Sequence, residues 1–427
     1  MYAPRLASDV RFDKYVDYYR SNKRMKNGKF LYAVATTESK NFPDQFSWAL
    51  RYNPKTDPPG AYDKKYYVET MRKQYMCGSC WATSLAQVIS DCLIVGGAVT
   101  NRKPMISATY IMAENLNQKG CLGGNPAEAA KVIEQRGTFD QTCVDYSWCS
   151  EDPRCRHNSL GHFGARETAK ILNSKIPPFG KCYFGSVPKY LYKIDPGSRV
   201  LSMNHEGMNH MIQMQRIIVF RSTVQAHILK YGPVLGGFVV LTNFMNAEHT
   251  NPLNATKGIY FENIAYGRNH VEHAYLKEHS FAVVGMHAVA VVGWGIERNI
   301  VYAGRKLDAV YYWHCRNTWG AEWGYQKGYF KIAAYPVNKL SQFDTEVSLP
   351  DDPFTKIGSV LMIKATTPPR LIDSKGMSQD KLNKIKLSKP RAFYTQNESK
   401  TSSEIILYGI VVIIFLVATI ILYFSKS

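Results

Sequence analysis

The sequence predicts an α+β protein with two lobes, one helical and one rich in β-strands, followed by a single transmembrane helix near the C-terminal end. Apolar residues recur at helical spacing in the first half of the chain, and short apolar runs next to glycine mark the second half. Residues 405–424 form one long apolar run without a charged side chain. A helical part followed by a strand-rich part is typical of α+β folds.

The helical lobe is predicted from the segment that begins at Cys80. Leu85, Val88 and Ile89 lie three or four positions apart, so their side chains share one face of a helix. The glycine pair at positions 96–97 ends this helix, because glycine readily adopts the left-handed conformation that commonly follows a helix.

The strand-rich lobe is predicted from two apolar runs in the later half of the chain. Residues 288–295 read AVAVVGWG, and residues 310–315 read VYYWHC. Both runs are short and rich in β-branched or aromatic residues, which is typical of strands. We therefore expect both runs to be strands of the second lobe.

Composition divides the chain into four predicted parts. Residues 1–41 are polar and basic and are interpreted as a short N-terminal arm or pro-region, and residues 42–349 as the folded domain. Residues 350–403 are rich in proline, serine, threonine and lysine with little apolar periodicity, so they are predicted to be a linker. Residues 404–425 are predicted to be the transmembrane helix.

The run at residues 405–424 has the length of a membrane span, because a rise of about 1.5 Å per residue carries it across a hydrocarbon core of about 30 Å. A buried core helix is the alternative, although such helices are rarely so uniformly apolar. Lysine and arginine precede the run and only Lys426 follows it. The positive-inside rule then places the folded domain on the cytoplasmic side. Association with a virion is the alternative location. The first residues lack an apolar core, so no signal peptide is predicted.

The formal net charge of +19 fits either a solvated basic surface or attraction to anionic lipid or nucleic acid. No motif that reads DNA or RNA is present in the sequence, so no nucleic acid partner is expected. Aromatic residues make up 13% of the chain, which argues for a packed core rather than disorder.

A candidate nucleophilic site is encoded by the string CGSCW, which ends with Cys80 and Trp81 and follows Gln74. A cysteine at the first position of a helix is favoured as a thiolate by the helix N-terminus, and a neighbouring imidazolium lowers its pKa further. The Gln74 side-chain amide can donate to a developing oxyanion together with the Cys80 backbone N–H, and Gly78 permits a tight turn. An isolated cysteine here is more often part of a core, but the whole string is far more specific.

This string resembles the active-site signature of the papain and cathepsin family of cysteine proteases, and other segments are similar to its cathepsin B and cathepsin X branches. The resemblance implies a papain-like fold, with a helical lobe and a β-barrel-like lobe, and a thiol-dependent peptidase that acts on proteins or peptides. It also implies a histidine and then an asparagine later in the chain. His287 in MHAVAVVGWG and Asn317 in RNTWG match, with Thr318 in place of the family's serine.

The resemblance gives each matched residue a role. Cys80 would attack the scissile carbonyl, His287 would act as general base and acid, and Asn317 would fix the orientation and tautomer of the imidazole. Gln74 would stabilise the oxyanion, and Trp319 would shield the bond between histidine and asparagine from water.

The segment CLGGNP at residues 121–126 resembles the family's CNGGYP segment. The resemblance implies a disulfide between Cys77 and Cys121, and it implies that the glycine pair offers bare backbone to an extended substrate. The positions expected to bind substrate are Gly123, Gly124, Pro126, Met286 and Trp319.

The cysteines leave alternatives open. The sequence has nine, so four bridges can form if Cys80 stays free, yet the predicted lack of a signal peptide implies a reducing compartment. Either the thiols stay reduced or an oxidation route operates, as large viruses can supply. A signal-less cathepsin-like chain with a C-terminal anchor is also similar to the proteinases of some large DNA viruses. No metal or cofactor is expected, and zinc is a weaker alternative to disulfides at Cys149, Cys155, His157 and His162.

Three other activities compete with the expected endopeptidase. Carboxypeptidase activity is the first, although no histidine can be placed with the role of binding the substrate's terminal carboxylate. The second is a catalytically inactive papain-like protein that binds peptides or organises a membrane, which the intact set of four site residues disfavours. The third is another acyl transfer, such as transpeptidation or removal of a ubiquitin-like tag. The charge alone would also fit a nucleic-acid-binding membrane protein, which salt-dependent binding to DNA would reveal.

Overall fold

The computed structural model describes residues 42–49, 71–99, 104–116, 118–157, 165–202, 210–261, 283–302, 305–334, 357 and 359–372. Most helices come first in the chain and most strands come later, which agrees with the predicted α+β class. The predicted N-terminal arm at residues 1–41 and the predicted transmembrane helix at residues 404–425 lie outside the described residues.

The α-helices of the described residues are α1 (Cys80–Val95), α2 (Ala108–Ala113), α3 (Pro126–Arg136), α4 (Ser147–Ser150), α5 (Pro153–His157), α6 (Ala165–Lys175), α7 (His210–Tyr231) and α8 (Thr242–Met245). Local capping fixes the start of α3. The Asn125 side chain accepts a hydrogen bond from the Ala127 backbone N–H at 2.9 Å, and Pro126 occupies the first turn, where its missing N–H costs nothing.

The helix predicted from Cys80 onward is confirmed as α1, and it ends at Gly96. Every residue from Trp81 to Ile94 is buried, so α1 is covered on all sides and not only on one face. Such burial is typical of a central helix. The Ser84 hydroxyl donates to the Ala288 carbonyl at 2.7 Å, which ties α1 to the strand-rich part of the fold.

The strands of the described residues are β1 (Phe46–Ser47), β2 (Tyr190–Leu191), β3 (Arg199–Ser202), β4 (Val234–Leu241), β5 (Ile259–Tyr260), β6 (Val283–Tyr302), β7 (Arg305–Arg316), β8 (Tyr329–Ala333), β9 (Ser359–Met362) and β10 (Arg370–Leu371). Eight of them form one sheet in the order β3-β9-β4-β6-β7-β8-β5, with β1 paired to β6. All pairings are antiparallel except that of β5 with β8. Strands β2 and β10 form a separate antiparallel pair. The two predicted strand runs lie in β6 and β7, so both predictions are confirmed.

Strand β6 separates two buried clusters of apolar side chains. Ala288, Ala290 and Val292 pack into the cluster built around α1. Val289 and Val291, which point to the opposite face of the strand, pack into the cluster formed within the strand-rich part. A strand buried on both faces has no polar positions, which explains the unbroken apolar run that predicted it.

The prediction that residues 350–403 form a linker is wrong for residues 359–372. Strand β9 pairs with both β3 and β4, and β10 pairs with β2. Val360, Leu361 and Ile363 are buried in the fold. The run is only a few residues long, and its burial depends on strands distant in sequence, so local periodicity does not show it. The folded part therefore extends beyond the predicted boundary at residue 349.

Across the part of the chain that the structure describes, no helix combines sufficient length with sufficient apolar character to cross a bilayer. The apolar run at residues 405–424 lies outside that part.

Candidate active site

Cys80 is the first residue of α1, and it is partly exposed. Burial raises the pKa of its thiol, while the nearby backbone N–H groups of Ala288, Trp81 and Cys80 itself favour the thiolate and oppose that rise in pKa. The contact with Ala288 places the sulfur against β6, next to the residue that follows His287 in the chain. The N-terminal end of α1 therefore surrounds the thiol with backbone N–H groups that favour its thiolate form.

His287 and Asn317 are brought together by the pairing of β6 with β7, because Asn317 directly follows the last residue of β7. His287 Nε2 lies 2.7 Å from Asn317 Oδ1, and both residues are buried. Oδ1 also accepts a hydrogen bond from the Thr318 backbone N–H at 2.8 Å, which fixes the orientation of the amide. An oxygen acceptor requires the imidazole proton on Nε2, which leaves the Nδ1 lone pair available.

The imidazole of His287 lies between two aromatic side chains. The Trp319 ring centroid is 4.7 Å from that of His287, and Phe238 of the paired strand β4 is 5.9 Å away. Burial lowers the pKa of His287 to about 4, and the hydrogen bond to Asn317 opposes that shift. The imidazole of His287 is therefore neutral near pH 7 as long as no thiolate stands beside it.

The Gln74 side chain is fixed at both ends of its amide. Its Nε2 donates to the Cys77 carbonyl at 2.8 Å, and its Oε1 accepts a hydrogen bond from the Thr318 hydroxyl. The Gln74 backbone N–H also donates to the Thr318 carbonyl at 2.8 Å. Thr318 therefore connects Asn317, which holds the imidazole, to the loop that carries Gln74. The family has serine at this position, and the threonine hydroxyl makes the contact with Gln74 here.

Cys77 and Cys121 form a disulfide with an S–S distance of 2.05 Å, the pair that the resemblance implies. Gly78 lies between this bridge and Cys80, and its backbone N–H donates to the Cys121 carbonyl at 2.7 Å. A Cβ atom on Gly78 would lie 2.3 Å from that carbonyl oxygen. Glycine is thus needed for close approach of two backbone segments. The chain also turns tightly here as the sequence suggested, because the Ser79 backbone N–H donates to the Cys77 carbonyl at 2.7 Å.

The expected substrate-binding positions fall on two sides of the cysteine. Gly123 and Gly124 follow Cys121, and a Cβ on Gly123 would meet no atom within 4 Å, so this backbone is accessible. A Cβ on Gly124 would lie 2.6 Å from the Trp81 ring. Met286, directly before His287, is 70% exposed. Pro126, another of the expected positions, lies in the first turn of α3. Proline is favoured there for a structural reason, because its missing N–H costs nothing.

Sequence reasoning missed a buried ion pair behind the site. Arg316 donates from Nη2 to Asp91 Oδ2 at 2.6 Å, and both side chains have 0% exposure. The pair links α1 to the end of β7, directly before Asn317. An arginine directly after the uncharged run at residues 310–315 was the available signal, but its partner is distant in the chain.

The remaining cysteines form two further disulfides, Cys143–Cys182 and Cys149–Cys155. Besides Cys80, the free cysteines are Cys92 and Cys315, both buried. The zinc alternative thus loses both of its thiolates. Among the described residues, no group of side chains suited to holding a metal ion is present.

Comparison with known proteins gives matches over most of this chain. The model of the papain family cysteine proteases matches residues 59–350. Probable cysteine proteinase 024R of invertebrate iridescent virus 3 is 38% identical over 316 residues, which are 73% of this chain and 60% of that protein. Probable cysteine proteinase 224L of invertebrate iridescent virus 6 is 36% identical over 339 residues, 78% of this chain and 71% of that protein. Cathepsin B-like cysteine proteinase 2 of Haemonchus contortus is 29% identical over 299 residues, which are 66% of this chain and 70% of that protein.

The aligned part of this chain spans less than two thirds of the first relative, since it covers 60% of that protein. The family match covers more than half of this chain and includes the segments that carry Gln74, Cys80, His287 and Asn317. The resemblance stated from the sequence, to cathepsin-like proteases and to proteinases of large viruses, is thereby confirmed. The chain belongs to the papain family of cysteine proteases.

Proposed function

We propose that the chain is a membrane-anchored, thiol-dependent endopeptidase. Cys80 is its nucleophile, His287 its general base and acid, Asn317 the residue that orients the imidazole, and Gln74 an oxyanion donor. Its substrates are proteins or peptides, and residues 405–424 attach it to a membrane.

The observation that carries this proposal is the buried contact of 2.7 Å between His287 Nε2 and Asn317 Oδ1, close to a cysteine at a helix N-terminus. With the proton on Nε2, the Nδ1 lone pair can accept the thiol proton. The Cys80 sulfur, which contacts the amide that follows the histidine, is positioned to supply it.

In the acylation step the Cys80 thiol proton passes to His287 Nδ1 while Sγ attacks the scissile carbonyl carbon. A C–S bond forms, and the carbonyl π pair moves onto the oxygen. Burial disfavours either charge alone, since it raises the pKa of the thiol and lowers that of the imidazole. Thiolate and imidazolium formed together attract each other and offset that penalty.

Two donors serve the oxyanion. One Gln74 Nε2 hydrogen is used by the Cys77 carbonyl, and the second remains for the substrate oxygen. The Cys80 backbone N–H, at the start of α1, is the other donor. Because the Thr318 hydroxyl already holds Gln74 Oε1, the amide does not need to reorganise during the reaction.

The tetrahedral species collapses when His287 Nδ1–H protonates the leaving amine, the C–N bond breaks and a thioester with Cys80 remains. Water then attacks the thioester as the imidazole takes its proton. The C–S bond breaks, the acid product leaves, and the proton returns to Sγ. Throughout, Asn317 Oδ1 accepts from Nε2–H and stabilises the imidazolium.

Endopeptidase activity is supported by the ion pair of Lys73, whose backbone lies beside that of Trp319. Lys73 pairs with Trp319 through an isolated β-bridge, and its ammonium forms an ion pair with Glu322. A neutralised lysine has little attraction for the terminal carboxylate of a substrate. On the other side of the cysteine, the accessible backbone of Gly123 suits an extended chain.

Peptide digestion tests the activity. The full chain would be incubated with an unfolded protein substrate and with peptides carrying free or amidated C-termini, and the products would be identified by mass spectrometry. We expect internal cleavage that does not depend on a free C-terminus and that Cys80→Ala abolishes. Release of only C-terminal residues would indicate an exopeptidase, and no cleavage by folded protein would favour an inactive binding protein.

The membrane anchor is supported by the uncharged run at residues 405–424 and the basic residues before it. The test is alkaline extraction of membranes from cells that express the full chain, with the double variant Ile413→Lys and Leu416→Lys as comparison. Each central lysine disfavours insertion by about 2.5–3.5 kcal/mol. The unaltered chain should stay in the pellet and the double variant should be released; release of both would overturn the anchor.

A further inference from the structure

The hydroxyl of Ser79, the N-cap residue of α1, is not used for capping. A serine at this position ordinarily accepts a hydrogen bond from a backbone N–H in the first helical turn. Here the side chain makes no such bond, and its Oγ lies 2.6 Å from the Tyr146 hydroxyl. Tyr146 directly precedes α4, so the partner comes from a different part of the chain.

The diversion of this hydroxyl matters for the donors near the cysteine sulfur. The N–H groups of Ala82 and Thr83 donate to the Ser79 carbonyl at 3.0 and 2.9 Å. The backbone N–H groups of Cys80 and Trp81 favour the Cys80 thiolate and oppose the rise of the thiol pKa caused by burial. Trp81 is the second helical residue, and its N–H is one of the two that a capping serine hydroxyl prefers. Without Tyr146, the Ser79 hydroxyl would keep only its weaker contact with the Thr83 hydroxyl at 3.3 Å and would compete with the sulfur for the Trp81 N–H.

Tyr146 also contacts the loop that carries the oxyanion donor. Its hydroxyl donates to the Gln74 carbonyl at a distance of 3.5 Å. Nearby, the Met76 backbone N–H donates to the Cys155 carbonyl at 2.9 Å, so the segment from Tyr146 to Cys155 lies along the back of this loop.

The segment around Tyr146 is held rigidly. The Cys143–Cys182 and Cys149–Cys155 disulfides flank it. The Trp148 ring centroid lies 5.3 Å from that of Tyr146, and the Trp148 indole N–H donates to the Thr109 hydroxyl at 3.1 Å. The tyrosine hydroxyl is thus presented to the loop from a fixed position.

From these contacts we infer that Tyr146 is a positioning residue of the thiol site: its hydroxyl keeps the Ser79 hydroxyl away from the N-terminus of α1 and supports the Gln74 backbone. This inference rests on the proposed peptidase function, because it assigns Tyr146 a role in the reactivity of Cys80. The hydroxyl of Tyr146 is hydrogen-bonded to Ser79 and Gln74, so Tyr146 acts on Cys80 through these two residues.

The titratable groups around the sulfur must be considered in any test by pH. His287 approaches from β6, and Tyr146 from the segment before α4. Tyr75 interacts electrostatically with Tyr146, and the Lys73 ammonium lies 5.3 Å from the Tyr75 ring centroid. Exchange of Tyr146 for phenylalanine leaves the histidine and the lysine in place.

The test compares Tyr146→Phe with the double variant Tyr146→Phe and Ser79→Ala in the full chain. Tyr192→Phe is the matched control, since it removes a tyrosine hydroxyl that donates to Asp140. This hydrogen bond is 2.8 Å long and lies away from the site. The rate of Cys80 alkylation by iodoacetamide is measured from pH 4 to 9, together with kcat and KM for peptide hydrolysis.

Loss of one hydrogen bond to a charged group corresponds to about a tenfold change. We expect Tyr146→Phe to slow alkylation near pH 6 about tenfold and to lower kcat about tenfold, with KM changed less than about twofold. The double variant, which has no hydroxyl to compete, should recover most of the alkylation rate. Tyr192→Phe should behave as the unaltered chain.

Two results would overturn the inference. If Tyr146→Phe has the same alkylation rate and kcat as the unaltered chain, the tyrosine hydroxyl has no part in the reactivity of Cys80. If the double variant is alkylated as slowly as Tyr146→Phe, the effect is a general structural one rather than competition by Ser79. Failure of the unaltered chain itself to hydrolyse peptide or to react at Cys80 would instead refute the proposed function.

Discussion

The ion pair between Asp91 and Arg316 offers the sharpest prediction about stability. Both side chains have 0% exposure and their nearest atoms are 2.6 Å apart. Asp91→Asn keeps the size of the side chain but leaves the arginine charge buried without its carboxylate. Removal of one partner of a buried pair costs about 3–5 kcal/mol, because the remaining charge has lost that partner's opposite charge in a poorly solvated site.

That cost is large for a domain whose free energy of unfolding is typically about 5–15 kcal/mol. Urea denaturation followed by tryptophan fluorescence measures it directly. The matched control is Glu167→Gln, which removes the carboxylate of an exposed pair with Arg154. The control should leave the denaturation midpoint close to that of the unaltered chain.

A second variant separates charge burial from packing. Replacing both partners, as Asp91→Leu with Arg316→Met, removes the desolvated charges together and should recover most of the stability lost in Asp91→Asn. The reasoning would be refuted if Asp91→Asn lost less than about 1 kcal/mol, or if the double replacement were no more stable than the single one. Because Arg316 precedes Asn317, Asp91→Asn should also lower kcat.

Three further predictions follow from the site and its surroundings. Gln74→Ala should lower kcat about 10²–10³-fold through loss of an oxyanion donor, measured by steady-state hydrolysis; a change below about threefold would contradict that role. Gly78→Ala places a Cβ 2.3 Å from the Cys121 carbonyl oxygen, so the thermal midpoint and activity should both fall, and an unchanged midpoint would contradict the geometry. Burial lowers the pKa of His227 to about 3 and of His314 to about 4; the folded state then binds fewer protons than the unfolded state, so the free energy of unfolding should fall as pH drops from about 6.5 toward about 4. Urea titrations at pH 7 and pH 4.5 measure this loss of the free energy of unfolding. His314→Gln should lose less than the unaltered chain, and an equal loss would contradict a contribution from His314.

Local strings predicted the features that depend on neighbouring residues. The start of α1 at Cys80, its end at Gly96 and the runs within β6 and β7 were all readable, because each is fixed by periodicity and glycine over a few residues. The pairing of β6 with β7 then brings His287 and Asn317 into contact. Two short strings, each recognised by itself, thus marked residues that the fold joins.

Features that depend on long-range pairing could not be predicted. The burial of β9 is created by its two neighbouring strands, β3 and β4. The contacts of Asp91 with Arg316 and of Ser79 with Tyr146 join residues 225 and 67 positions apart. No spacing rule selects such partners from one sequence. The pairing of Cys149 with Cys155 was equally open, since the same residues suited zinc until the structure joined them.

The central claim, that Cys80 is an activated nucleophile, is tested most directly by covalent labelling with an epoxide thiol probe and mapping of the adduct by mass spectrometry. The chain provides its own controls, because the free cysteines Cys92 and Cys315 are buried and burial raises the pKa of both thiols. We predict an adduct on Cys80 alone, lost in Cys80→Ala and slowed in His287→Ala. Folded protein that stays unlabelled, or that reacts at Cys92 or Cys315 as readily as at Cys80, would contradict the account.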